Sequence, residues 1–182
     1  KHPVIFGMLL VFLVTFLAYG RMLGMYFWQD DNAIIFKAQN IEEAAGYFGE
    51  GLYDRSSNYR FVATLVYPLY LLFGIEPTGY YLAGMIFYFF AALSVYFIVK
   101  VLTGKKLVAL LAALIFASGY VGAESVWRVS TSVHTSHMIV FLNLSMLFYV
   151  LSFRSEKRKW LYYAVSLILF VYTMETGFVR SH

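Results

Sequence analysis

Residues 76–104 read EPTGYYLAGMIFYFFAALSVYFIVKVLTG. Pro77 suits the first turn of a helix and Gly104 suits its end, and between them Lys100 is the single formal charge. A helix over 77–103 would be ~40 Å long at ~1.5 Å per residue, more than the ~30 Å hydrocarbon core of a bilayer. A segment of this kind belongs in a membrane.

The flanks repeat the pattern. Lys105 and Lys106 form a tight hairpin after Lys100, and residues 105–121 return. Further spans are expected at 136–153 and 160–176, joined by the basic loop from Arg154 to Lys159. Before this core, residues 4–25 are apolar except for Thr15 and Arg21, and they end in the aromatic belt Tyr26-Phe27-Trp28. No small-residue cleavage site follows, so an uncleaved span is expected rather than a signal peptide. Residues 28–76 then form a long polar excursion. In it, Asn40 with Glu43 resembles a capping box, and Ile41, Ala44, Ala45 and Phe48 share one face, which predicts a helix on the membrane surface. Phe61–Phe73 is apolar but short and holds Pro68, so it reads as re-entrant or interfacial. The expected fold is all-α: a polytopic transmembrane bundle of about five spans with extracytoplasmic interfacial helices.

Composition agrees. The 182 residues are 61% hydrophobic and 13% charged, about half the charged fraction of a soluble domain. No cysteine is present, which excludes a disulfide framework, a thiol nucleophile and a Cys-based zinc site. The net charge of +4 resides in short loops between apolar runs, so a nucleic-acid surface is not indicated. Walker, dinucleotide and nucleophile-elbow motifs are absent. The first residue is Lys1 rather than Met, and His182 follows closely on an apolar run. The chain is therefore expected to be the N-terminal portion of a longer protein.

Charge sorts cleanly under a five-span topology. Lys1, Lys100, Lys105, Lys106, Arg154, Lys157, Arg158 and Lys159 share one side with a single acid, Glu156. The other acids (Asp30, Asp31, Glu42, Glu43, Glu50, Asp54, Glu76, Glu124 and, nearby, Glu175) lie on the opposite side. The positive-inside rule makes that acidic side extracytoplasmic, and the long polar stretches place the function there.

Trp28-Gln29-Asp30-Asp31-Asn32 is the leading candidate for chemistry. Adjacent carboxylates just beyond a span can be a solvated loop start, or can supply a general base held at the water–lipid boundary. The pair permits a divalent cation without specifying one. Arg60 is either a snorkelling anchor or a fixed cation for a membrane-borne phosphate. Glu124 and Arg128, four apart, suit a helical ion pair, and with Trp127, Ser130, Thr131, Ser132 and His134 they also suit a sugar- or phosphate-binding loop. His134 and His137 are three apart, but no third metal ligand accompanies them in sequence. Glu175 falls ~22 Å along a helix that starts near Trp160, where an acid needs a partner or a cavity unless the helix ends earlier.

Together these segments resemble the GT-C superfamily of integral membrane glycosyltransferases, which includes protein O-mannosyltransferases and the aminoarabinose transferases of lipid A. The resemblance rests on the acidic motif Asp30-Asp31 directly after the first span, and on Arg60-Phe61-Val62 leading to Phe73-Gly74. It extends to Gly122-Ala123-Glu124-Ser125-Val126-Trp127-Arg128 and Met174-Glu175-Thr176-Gly177. The family's acidic motif more often reads Asp-Glu, and Arg-Pro or Pro-Pro often stands where this chain has Phe61-Val62. The resemblance implies inverting transfer of a sugar from a polyprenyl-phosphate donor to a glycan, lipid or protein acceptor outside the cytoplasm. Asp30, or its neighbour Asp31, would be the base. Arg60, Glu124, Arg128, His134 and Glu175 would handle the donor's phosphate and sugar. The alternatives are a transporter or scaffold component, or a polymerase or ligase of lipid-linked glycans.

Overall fold

The computed structural model describes residues 3–40, 65–119 and 128–177, leaving aside the side chains of 3–4, 29–30, 130–134 and 175–177. Seven α-helices and no strand occur among them: α1 (Pro3–Tyr19), α2 (Gln29–Gln39), α3 (Tyr67–Phe73), α4 (Pro77–Thr103), α5 (Lys106–Ser118), α6 (Val129–Arg154) and α7 (Lys159–Gly177). A 3-10 turn, Gly20–Gly24, continues α1.

α4 is the axis of the bundle. Pro77 opens it, where a missing N–H costs nothing. Gly104 closes it at φ +71°, donating its N–H to the Lys100 carbonyl at 2.9 Å. One side of α4 packs on α1 and α5, the other on α6, and α7 lies against the far side of α6. The α5 seam is made of Ala109, Ala113 and Ala117, all fully buried against Val11, Ala92, Leu93 and Tyr96. Small residues every fourth position let helix backbones approach closely, which matters where lipid removes most of the hydrophobic drive for association.

Polar contacts tie the helices at several depths. Asn143 of α6 donates to Ser94 Oγ of α4 at 2.9 Å. Ser145 of α6 and Ser166 of α7 exchange bonds, each hydroxyl donating to the other's carbonyl at 2.8 and 2.9 Å. Tyrosines satisfy carbonyls at helix ends: Tyr88 Oη donates to Phe116 O at 2.7 Å and Tyr19 Oη to Gly119 O at 2.8 Å.

The exterior is as apolar as the seams. Leu17 is 72% exposed, Ile168 68% and Phe153 68%, and other large apolar side chains stand outward along α1, α4, α5, α6 and α7. An apolar surface this extensive requires lipid rather than water. Three segments are long and apolar enough to cross a bilayer, Ile5–Gly24, Pro77–Thr103 and Thr135–Arg154. The other two expected spans form shorter apolar helices, Lys106–Ser118 and Lys159–Met174. The protein is an all-α membrane bundle.

Several boundaries differ from expectation. The first span is α-helical only to Tyr19 and tightens into the 3-10 turn between Gly20 and Gly24. Pro68 does not interrupt the following helix but stands at its start, in the first turn of α3. The surface helix falls at 29–39 within the expected 28–76 loop, whereas the one expected from Asn40 lies outside the described residues. α6 starts at Val129 rather than near 136, so the Ser/Thr-rich stretch from Ser130 to Ser136 is helical and not a loop.

Candidate functional site

The ends of α1 and α7 and the starts of α2, α4 and α6 gather at one end of the bundle. Met25–Trp28 is extended there, and Trp28 (φ −81°, ψ 167°) is the N-cap of α2. Asp30 and Asp31 are therefore the second and third residues of a helix, where carboxylates meet the positive end of the helix dipole. Asp31 is fully buried, and its Oδ2 accepts the Trp28 backbone N–H at 3.1 Å. The Asp31 N–H in turn donates to the Trp28 carbonyl at 2.9 Å. This is the returning half of a capping box, so the Asp31 carboxylate fastens the chain as it enters α2.

α2 is anchored on its inner face by Ile35 and Ala38, which pack with Val66, Tyr80, Tyr81 and Val129. The strand-like entry is pinned to α4 as well. Tyr81 Oη donates to the Tyr26 carbonyl at 3.0 Å, Thr78 Oγ1 to the Leu23 carbonyl at 3.1 Å, and the Phe27 ring meets Tyr80 edge-on at 5.5 Å. An open groove of about 600 Å³ runs along Gly24, Met25, Tyr26, Phe27 and Trp28.

Arg128 stands at the start of α6 beside Trp28, one of the residues lining this groove. It is the N-cap residue, extended at φ −124° and ψ 130°, and its guanidinium stands 5.6 Å from the Trp28 ring centroid. Arg128 and the half-exposed indole thus share the same lip, a cation and a flat apolar face side by side. That combination can hold an anionic group while an aromatic face packs on a sugar or a lipid chain.

A second cluster joins α6 to α7. His137, 2% exposed, bonds through Nε2 with Tyr172 Oη at 3.1 Å. Phe87 and Phe141 complete a wall of rings around the imidazole, at centroid distances of 5.7 and 4.7 Å. His134 lies one turn before His137 on α6, and Glu175 three residues beyond Tyr172 on α7. The helices are antiparallel, so the His137–Tyr172 contact sets positions 134 and 175 level with each other, one turn nearer the bundle end.

The structure thus brings Asp30, Asp31 and Arg128 to one place, with His134 and Glu175 at the same end of the bundle on α6 and α7. Arg60 and Glu124 lie outside the described residues. Arg128 is the extended N-cap of α6, and its expected pairing with Glu124 lies outside the described residues. Glu175 lies within α7, which continues to Gly177, so the helix does not end before it. Among the described residues no group of three or more His, Asp or Glu is placed to hold a metal ion.

Sequence reasoning did not single out Tyr81, Tyr172 or the Trp28–Arg128 contact. Tyr172 carried a signal, because its spacing from Glu175 repeats that of His134 from His137 on the partner helix. The Trp28–Arg128 contact joins positions a hundred residues apart and left none. No protein-family model, curated protein or solved structure matches the chain.

Proposed function

We propose that this chain is a membrane-embedded region of a GT-C-type glycosyltransferase that uses a polyprenyl-phosphate-linked sugar. The observation that carries the proposal is the helix start at Trp28. It sets an acid pair at the end of the first membrane segment, beside an arginine and an exposed indole at a groove.

In this reading the two carboxylates divide the work. Asp31 is the positioning residue, buried and committed to the Trp28 N–H. Asp30, its neighbour on the first turn of α2, is the general base. It removes the acceptor's proton as the acceptor oxygen or nitrogen forms its bond to the anomeric carbon. The bond from that carbon to the carrier phosphate breaks on the opposite face, so configuration inverts and the electron pair leaves with the phosphate. Arg128, with Arg60, stabilises the charge that develops on the departing phosphate. Glu124, His134 and Glu175 contact the donor's sugar. A divalent cation is compatible with the acids but not required by them.

A lipid-borne donor suits the architecture, because its tail can lie along the apolar flanks while its head enters the groove. The five-span topology, with both shorter helices crossing, puts all the described basic loops at the other end. By the positive-inside rule the groove then faces away from the cytoplasm.

The test is mass spectrometry of lipids that copurify with the intact protein, together with a transfer assay using the lipid identified. A polyprenyl phosphate or its glycoside should be found with the wild type and depleted by Arg128→Ala, and Asp30→Asn should abolish transfer while retaining the lipid. Bulk phospholipid alone in both samples, or full transfer by Asp30→Asn, would overturn the assignment.

A further inference from the structure

The end of the bundle opposite the groove is a concentrated positive surface. Lys100, Lys105 and Lys106 stand at the α4–α5 hairpin, and Arg154, Lys157, Arg158 and Lys159 at the α6–α7 hairpin. Glu156 is the only acid among them, and every one of these cations except Lys100 is exposed. The hairpins are neighbours in space, because Arg154 Nη2 of α6 reaches the Leu102 carbonyl of α4 at 3.4 Å. Neither α5 nor α7 carries an acid in its first turn, so the positive ends of both helix dipoles add to the field.

The cations are bordered by lipid-facing side chains. Leu102, Leu107, Phe153 and Trp160 are exposed, Trp160 by 76%, and Lys159 Nζ lies 5.9 Å from the Trp160 ring centroid. An indole with one polar atom on an apolar ring settles at the headgroup level of a bilayer. Lys100, partly buried in the last turn of α4, has its Nζ 5.7 Å from the Tyr96 ring centroid. The positive surface is therefore at headgroup depth, flush with the apolar belt.

We infer that the paired hairpins Thr103–Lys106 and Arg154–Lys159 form a docking surface for anionic phospholipid headgroups in the adjoining leaflet. Seven cations against one carboxylate leave a net positive charge within the two described hairpins, and phosphodiester headgroups with one net negative charge supply the complement at that depth. Lysine and arginine donors can grip the phosphate oxygens, while the acyl chains lie against Leu107, Phe153 and Trp160. Arg154, bonded across to α4, keeps the two hairpins together so that one headgroup meets donors from both. This inference requires only the membrane reading and stands apart from the transferase proposal.

The experiment places the intact protein in nanodiscs of phosphatidylcholine with a minor fraction of phosphatidylglycerol. Spin-labelled forms of each lipid report which is held at the protein surface. Each basic residue near an anionic leaflet is worth about a fivefold preference. Wild type should therefore favour phosphatidylglycerol at least about fivefold at low salt, with most of the preference lost in 0.5 M salt by screening, as expected from a Debye length of roughly 4 Å. The quadruple variant Lys105→Gln/Lys106→Gln/Lys157→Gln/Arg158→Gln should bring the ratio close to one, whereas Lys37→Gln at the opposite end should leave it unchanged. Photo-crosslinking phosphatidylglycerol to the wild type gives a readout independent of the variants' folding, and should label peptides from the two hairpins. Equal association of both lipids with the wild type, an undiminished preference in the quadruple variant, or crosslinks spread evenly around the belt would each overturn the inference.

Discussion

Replacing Asp31 by alanine removes the acceptor that holds the Trp28 N–H at 3.1 Å and the negative charge on the first turn of α2. A hydrogen bond to a charged group contributes about 1.5–3 kcal/mol, and a carboxylate at a helix N-terminus about 0.5–1 kcal/mol more. Loss of both weakens α2 by about 2–4 kcal/mol, a roughly 30- to 1,000-fold rise in its local opening. Asp31→Asn keeps an oxygen acceptor of the same reach and loses only the charge, so about 1 kcal/mol and fivefold are expected. Hydrogen exchange followed by mass spectrometry on the purified intact protein resolves this locally. Peptides from 29–39 should exchange faster in the order wild type, Asn, Ala, while peptides from the middle of α4 stay as slow as before. Unchanged α2 exchange in the alanine variant would show that the carboxylate is not fastening the helix. An asparagine variant as loose as alanine would show that its charge, not its hydrogen bond, is what matters.

Other substitutions probe the frame around the site. Ala113→Leu forces three more heavy atoms into the seam with Val11, Ala92 and Leu93 and should cost about 1–3 kcal/mol, whereas Leu111→Ala, on the half-exposed lipid side, should cost far less in the same unfolding assay. Ser145 and Ser166 donate to each other's carbonyls with their hydroxyl oxygens 3.3 Å apart, so about 0.6 kcal/mol is expected for each alanine variant and a non-additive loss in the double variant, read from a double-mutant cycle. A methyl group at Gly79 would run into the ring of Phe73, so Gly79→Ala should lower the thermal midpoint, and Phe73→Ala in the same chain, which removes the clashing atoms, should restore part of it.

Much of this fold could be read from the chain because its signals are local. Pro77 and Gly104 bracket α4, and an apolar run of that length has no other stable home. The basic hairpins follow from the same bookkeeping of charge against apolar length. The start of α2 was harder to see because Trp28 is an unusual N-cap and the helix is held by a return bond from Asp31. Its inner face, Ile35 with Ala38, spans less than two turns and gives little periodicity against the polar residues around it. The early start of α6 was hidden for a related reason. Serine and threonine from Ser130 to Ser136 weaken an isolated helix, yet here Val129, Ser136 and His137 are buried against neighbours that the sequence does not list beside them. The candidate site divides the same way: Asp30 and Asp31 announce themselves by position, while the approach of Arg128 to Trp28 depends on how distant helices pack.

The polar contacts between α4, α6 and α7 bear on which arrangements the bundle can adopt at all. On nearly uniform apolar surfaces, a helix displaced by one turn, about 5.4 Å, would recover much of its van der Waals contact. The bonds Asn143–Ser94, the Ser145–Ser166 exchange and His137–Tyr172 all involve α6, at different depths, and such a slip of α6 would break all four together. At ~0.6 kcal/mol each they disfavour the displaced register by roughly 50-fold. These few hydroxyls, one amide and one imidazole act as an axial ruler, keeping the ends of α6 and α7 level with the helix start at Trp28.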